Sequence, residues 1–404
     1  MRILVLAPHP FYIDRGTPIA QELLTRALSE RGDEVDLLVY HVGRDIERPN
    51  FTLHRIPGPR WIRSVPPGLS VRKLICDAYL LWSALRLARR KAYDVVHASE
   101  EAVLIAMLLK RLRGLPYVYD MDSSIAQQTV EQAPWLRPLA RLLEGVEGMA
   151  IRNAVAVAPV CRALAELAHE RGAPLVQTLE DISQIPPEQF RRTGELRDRL
   201  GIAGSVVLYV GNLAPYQGLD LLLESGAALN PRDDFHLVIA GGPAPAVAEY
   251  RKRAAALGIA DRTHFIGPWP ADRLGTLLAE ADILVSPRTR GINTPMKIFP
   301  YLHSGRPLLA TDITSHNQIL DASIALLAPP DPAAFAAALE RLLDDATLRQ
   351  RLGDAGRAFA ERNHTFAAYR SRVDALYDQV EAARSGTAAG VSSSQAQRSF
   401  EGTS

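Results

Sequence analysis

The sequence predicts an α/β protein made of two doubly wound parallel sheets, and three features point there. Short apolar runs such as 2–7, 35–40, 205–210 and 236–240 recur, each followed by a loop and then by residues at helical spacing. Those runs are continuous, not alternating, as in strands buried on both faces of a parallel sheet. The strand–helix alternation persists through 404 residues, too long for one core, so two domains are expected. We place them at 1–185 and 195–360, with a helix over 361–383 and a small, polar, disordered tail over 384–404.

Composition excludes several classes. Hydrophobic content of 47% and charged content of 23% are ordinary for a soluble globular protein. A net charge of +1 gives no basic field, so nucleic acid is not an expected partner. Cys76 and Cys161 make neither a disulfide framework nor a metal spacing, in keeping with a reducing cytoplasm. The sequence enters a strand at once without a signal peptide, and no apolar run nears the roughly 20 residues of a membrane span. A cytoplasmic location is expected.

Along the first half, strand 2–7 leads through a loop with Arg15 and Gly16 to a helix opened by Thr17 and Pro18 and stopped at Gly32. Residues 60–73, with Trp61 and several arginines, precede a helix carrying Arg86, Arg89, Arg90 and Lys91. That surface is either a solvated helix face or a peripheral contact with anionic lipid. Val95 and Val96 end a strand, with His97, Glu100 and Glu101 at its mouth. Strand 117–119 ends in Asp120, Asp122, Ser123 and Ser124, where open sheets bind ligands. Asp122 is the catalytic candidate; Ser123 and Ser124 serve either the acceptor side or a helix cap. A helix over 136–153, a strand over 154–160 and a last strand over 176–179 precede a linker with Pro186 and Pro187.

In the second half, strand 205–210 meets a loop of Gly211, Asn212, Gln217 and Gly218. Strand 236–240 ends in Gly241 and Gly242, where backbone can approach a ligand. Strand 263–266 precedes Gly267. The central stretch is 286–311, SPRTRGINTPMKIFPYLHSGRPLLAT. Thr294 suits an N-cap and Pro295 a first helical position, so Arg288, Arg290, Asn293 and Lys297 would converge on a helix end fit for a diphosphate. Pro300 would kink that helix by removing a bond to the Met296 carbonyl.

Taken in order, RGTP, YDVVHASEEA, LPYVYDMDSS, LYVGNLAPYQGLDLLLE, VIAGGP, FIGPWP, ADILVSPR, NTPMK and SGRPLLAT resemble glycosyltransferase family 4, of the GT-B fold. The resemblance implies two Rossmann-like domains, a last helix crossing back to the first, and sugar transfer from a nucleotide-sugar with retention, without metal or cofactor. It further implies a glycan or lipid-linked acceptor at the first domain. Gly16 would approach the donor phosphates, and Gly241, Gly242 and residues Phe265 to Pro268 would flank ribose and base. Three departures stand out. Ile292 and Pro300 replace a glutamate pair, Asn212 and Gln217 replace an arginine and a lysine, and Asp122 replaces a histidine near the reacting sugar. The loop cations would then supply the missing charge. The alternative is a non-catalytic member that binds a sugar nucleotide or partners an active transferase. An oxidoreductase is disfavoured, because the first strand runs into PHPFYIDRGTP and not a glycine fingerprint.

Overall fold

The computed structural model describes residues 1–385 apart from 14, 15, 60, 63, 66, 67 and 69. Arg15, Arg60, Arg63 and the tail expected to be disordered, from residue 386 on, lie outside the described residues. The first sheet contains β1 (Arg2–Leu6), β2 (Glu34–Val39), β3 (Phe51–Arg55), β4 (Val95–Ser99), β5 (Tyr117–Met121) and β6 (Ala156–Pro159). They are all parallel, in the order β3-β2-β1-β4-β5-β6. Around it lie α1 (Gly16–Arg31), α2 (Val71–Arg90), α3 (Ala102–Arg113), α4 (Ile125–Gln132), α5 (Ala140–Asn153) and α6 (Arg162–Glu170).

After α7 (Glu195–Leu200), the second sheet uses β7 (Ser205–Val210), β8 (Phe235–Ala240), β9 (Thr263–Gly267), β10 (Ile283–Ser286), β11 (Leu308–Thr311) and β12 (Leu326–Ala328). Its order is β12-β11-β10-β7-β8-β9, again parallel throughout. Its helices are α8 (Leu219–Ala228), α9 (Ala244–Ala256), α10 (Leu274–Glu280), α11 (Ile298–His303), α12 (Thr314–Asn317), α13 (Pro332–Asp344) and α14 (Ala346–Asn363). The chain ends in α15 (Phe366–Arg384). In each sheet the strand order reverses beside the first strand, between β1 and β4 and between β7 and β10. Loops diverge there and leave a crevice at the carboxyl ends.

Helix α15 packs on the first sheet's layer. Tyr369, Val373, Leu376, Tyr377 and Val380 are buried against Ile3, Val5, Leu24 and Leu28. Arg31 bonds Asp378 at 2.6 Å and Arg370 meets Glu30 at 3.3 Å. This packing corrects the expectation for His97. Its ring is fully buried, with Nδ1 2.9 Å from the Tyr377 hydroxyl, so it ties α15 to β4 and cannot meet an acceptor.

Three local expectations also change. Residues 176–179 do run along β6, with Gln177 N and Leu179 N donating to the Val157 and Pro159 carbonyls at 3.1 and 2.9 Å, but the pairing amounts to a single parallel bridge, Val176 to Val157, and not to a full strand. A tight 3₁₀ segment, Pro134–Leu139, precedes α5. The helix expected from Thr294 starts only at Ile298, so Thr294 caps nothing and its buried hydroxyl has no partner. Pro300 then lies in the first turn of α11, where its missing N–H had no helical acceptor to lose, and no kink follows.

Candidate functional site

At the second crevice, the loops after β7 and β10 press together. Gly218 has φ 74°, and an added Cβ would lie 1.8 Å from the Pro287 carbonyl oxygen, so only glycine lets α8 begin there. Thr289 N bonds the Tyr216 carbonyl at 2.9 Å, closing the seam. Arg288 is held within its own loop. Nε donates to the Arg290 carbonyl at 2.7 Å, and Nη1 and Nη2 donate to the Asn293 carbonyl and Oδ1 at 3.0 Å each. Its guanidinium also lies 5.3 Å from the Tyr216 ring centre. Arg288 and Asn293 therefore shape the loop, while Arg290 is exposed. The expected convergence of three cations reduces to one, Lys297.

The Lys297 ammonium donates to Gln217 Oε1 at 3.0 Å and sits 4.0 Å over the Tyr209 ring. A Cβ on Gly211 would be 2.7 Å from Nζ, so the glycine loop rests on the amine. No ion pair of Lys297 occurs among the described residues. Burial, aided by Arg288, brings its pKa down to about 7. Behind it His316, missed in the sequence, fixes the end of β10. Its Nδ1 donates to the Thr311 carbonyl at 2.8 Å, so Nε2 accepts from the Ser286 hydroxyl at 2.9 Å. Burial lowers the His316 pKa to about 4 and keeps it neutral. A histidine thirty residues beyond Ser286 carries no local signal of this role.

Gly241 and Gly242 adopt φ 113° and 78°, and Gly241 N bonds the Gly267 carbonyl at 2.6 Å. These glycines bring the ends of β7, β8 and β9 close together. The Phe265 ring is buried in the core, which leaves only its backbone for a ligand. Asn212 lies at the mouth of the interlobe cleft.

The first crevice is acidic. Asp120 accepts from Ser99 Oγ and Gln21 Nε2 at 2.8 Å each and lies 3.3 Å from His97 Nε2. Burial alone would raise its pKa, but His97, Ser99 and Gln21 hold it below the usual carboxylate range. Asp122 is the reverse. Burial, with Asp120, Glu100 and Asp181 nearby, pushes its carboxyl well above that range, and Oδ2 has no partner. The shift favours the protonated form of Asp122, which could donate a hydrogen bond as well as accept one. Burial and Asp120 lift Asp181 to about 7.

Glu100 holds a left-handed φ of 48°, a strained backbone for a residue with a Cβ, at the corner between β4 and α3. Glu101 is ion-paired with Lys73. Ser124 caps α4 by accepting from Gln127 N at 3.3 Å, whereas Ser123 bonds Gln128 at 3.4 Å. Across the lobes, a Cβ on Gly16 would stand 3.3 Å from Met296 Sδ, so the start of α1 faces the lysine loop. Gln318 bridges the lobes, accepting from Ala163 N and donating to the Ile292 carbonyl, both at 2.6 Å. Between them opens a cleft of about 680 Å³ lined by both lobes. Among the described residues no three His, Cys, Asp or Glu are grouped to hold a metal, and no helix is long and apolar enough to cross a membrane.

Residues 16–179 match a model described as glycosyl transferase 4-like domain, and residues 204–345 one described as glycosyl transferases group 1. The chain is 27% identical over 319 residues to the alpha-D-kanosaminyltransferase of Streptomyces kanamyceticus, covering 74% of this chain and 82% of that one. It is 26% identical over 385 residues to a D-inositol 3-phosphate glycosyltransferase of Corynebacterium efficiens, covering 87% of each. Among solved structures, sucrose-phosphate synthase of Thermosynechococcus elongatus superposes with a TM-score of 0.78 at 20% identity, over 95% of this chain and 100% of that one.

Proposed function

The chain belongs to the group 1 glycosyl transferases, and we propose that it moves a sugar from a nucleotide-sugar donor to an acceptor hydroxyl with retention of configuration and without a bound metal. Lys297 carries this reading. It is a partly buried lysine at the strand-order reversal of the second sheet, its amine wedged under a glycine loop and ion-paired with no carboxylate among the described residues. A donor diphosphate is the anion that suits that position.

In the reaction the bond from the anomeric carbon to the diphosphate oxygen breaks, and negative charge grows on the leaving group. Lys297 stabilises that charge as it develops. The acceptor oxygen bonds to the anomeric carbon, and its proton passes to the departing diphosphate. Asp122, protonated, donates a hydrogen bond to the transferred sugar from the first lobe. Closure about the Gln318 bridge keeps water out. We further infer peripheral work at the cytoplasmic face of a membrane, supported by the outer face of α2, where Trp82 stands among Arg72, Arg86, Arg89 and Arg90.

Titration of UDP- and GDP-sugars into wild-type protein and Lys297→Met tests the assignment. The variant should bind about tenfold or more weakly; equal affinity would remove Lys297 from the donor site.

A further inference from the structure

The loop that carries Lys297 is held from the opposite lobe. It runs irregularly from the end of β10 at Ser286 to the start of α11 at Ile298. Ile292, midway along it, crosses into the first lobe, where its side chain packs against the core that holds Ile151, Cys161 and Leu164. Among the described residues it is the one apolar side chain of the second lobe to join that core. Its carbonyl accepts from Gln318 Nε2 at 2.6 Å and faces the Cys161 thiol at 3.9 Å. The loop keeps to this seam as it continues. The Thr294 amide bonds the Cys161 sulfur, and Met296 lies against Gly16 at the start of α1.

Gln318 makes the seam a three-way junction. It directly follows α12, whose His316 is tied to the ends of β10 and β11 through Ser286 and Thr311, so its base is fixed in the second lobe. Its Oε1 accepts from Ala163 N in the first turn of α6, where Cys161 supplies no side-chain cap. A helix start has amides without helical partners, and here the other lobe satisfies one of them. One partner of Gln318 is a donor and the other an acceptor, so an uncharged amide serves both at once. A contact that only joined the lobes would end at α6. This one passes on to Ile292, in the same loop as Lys297.

We propose that Gln318 and Ile292 are positioning residues, which clasp the donor loop onto the first lobe and so set where Lys297 stands when a nucleoside diphosphate binds. The proposal rests on the transferase reading of the Lys297 site and adds that the acceptor lobe governs donor affinity through this seam. The coupling runs both ways, because a clasp that favours the diphosphate is favoured by it to the same degree.

The two cysteines report on the seam without reference to turnover. Cys161 is 1% exposed and lies under the clasp, whereas Cys76 is fully enclosed in the first-lobe core. Iodoacetamide labelling, read at each cysteine by mass spectrometry, separates opening of the seam from unfolding of the lobe. Calorimetric titration of UDP and GDP into wild type, Gln318→Leu, Gln318→Glu and Ile292→Ser gives the second measurement. Each variant should label faster at Cys161 but not at Cys76, and should bind the diphosphate about five- to tenfold more weakly. A saturating diphosphate should slow Cys161 labelling in wild type by a similar factor. Gln318→Glu is decisive, because it keeps an acceptor for Ala163 N but turns a second oxygen on the Ile292 carbonyl. Wild-type affinity in Gln318→Glu would mean that Gln318 merely caps α6, and it overturns the proposal. Faster Cys161 labelling with unchanged diphosphate affinity also overturns it, since the seam is then a brace with no hold on Lys297. Unchanged Cys161 labelling in all three variants overturns the clasp whether or not a diphosphate binds. Failure of wild type to bind either UDP or GDP sinks the transferase reading instead.

Discussion

The two lobes share a strand order and a crevice position but carry opposite charge. At the reversal between β1 and β4 stand Asp120, Asp122, Glu100 and, close by, Asp181; at the reversal between β7 and β10 stand Lys297 and Arg288. The same backbone arrangement makes a place for a ligand twice. Only the side chains make one place suit an anion and the other, on the proposed function, hydroxyl groups. In each, burial drives the key group toward neutrality, pushing Asp122 up and Lys297 down. A donor that brings negative charge restores the lysine, whereas a neutral sugar suits the protonated acid.

The harshest way to break this contrast is to make both crevices acidic. Lys297→Glu should lower kcat/KM by about a hundredfold or more, since a repulsive charge replaces stabilisation of the leaving diphosphate. The double variant Gln217→Lys/Lys297→Gln returns an amine to the same spot from the other loop, given the 3.0 Å contact between the two side chains. It should recover to within about tenfold of wild type, and steady-state kinetics decide it. On the acidic side, Asp122→Leu should cost roughly ten- to a hundredfold in kcat. Asp122→Asn keeps a donor and should cost much less; equal losses would mean that Asp122 acts as an ionised base.

The pH dependence of donor affinity sharpens the comparison further. With its pKa at about 7 in the free protein, Lys297 is charged below that value, so affinity should be flat there. It should weaken above pH 7, at most about tenfold per unit, until the raised pKa of the bound state is passed. Calorimetry in buffers of differing ionisation enthalpy should show proton uptake near pH 7.5 that Lys297→Met abolishes. Asp181 makes the smaller, opposite case. Its folded pKa of about 7 lies above the usual unfolded carboxylate value, so the fold holds the extra proton. Stability should therefore fall as pH rises from about 4 to about 7 and level off beyond. Asp181→Asn should remove that slope and stabilise the protein at pH 8 by roughly 2–4 kcal/mol, as read by denaturant unfolding.

The strands were legible because parallel sheets buried on both faces demand continuous apolar runs, as in β1, β7 and β8. The edge strand β3 (Phe51–Arg55) was not, since it is half-exposed and its sequence FTLHR is mixed; β12 has only three residues. Thr294 and Pro295 misled because helix-start chemistry is local. The chain here stays irregular for three more residues while Arg288 grips Asn293. His97 was read as a ligand from its place at a strand end, but its partner Tyr377 is 280 residues away. The position of Asp122 was readable and its protonation was not, because the acids that set it come from three separate segments.

Helix α15 has a consequence for the birth of the molecule. Synthesis is vectorial, and the residues that cover Ile3 and Val5 emerge only after the whole second lobe has left the ribosome. The half of the chain made first is therefore finished last, with one side of its sheet uncovered throughout elongation. A nascent chain stalled before residue 366 carries that sticky side into the cell, where it is a natural client for chaperones.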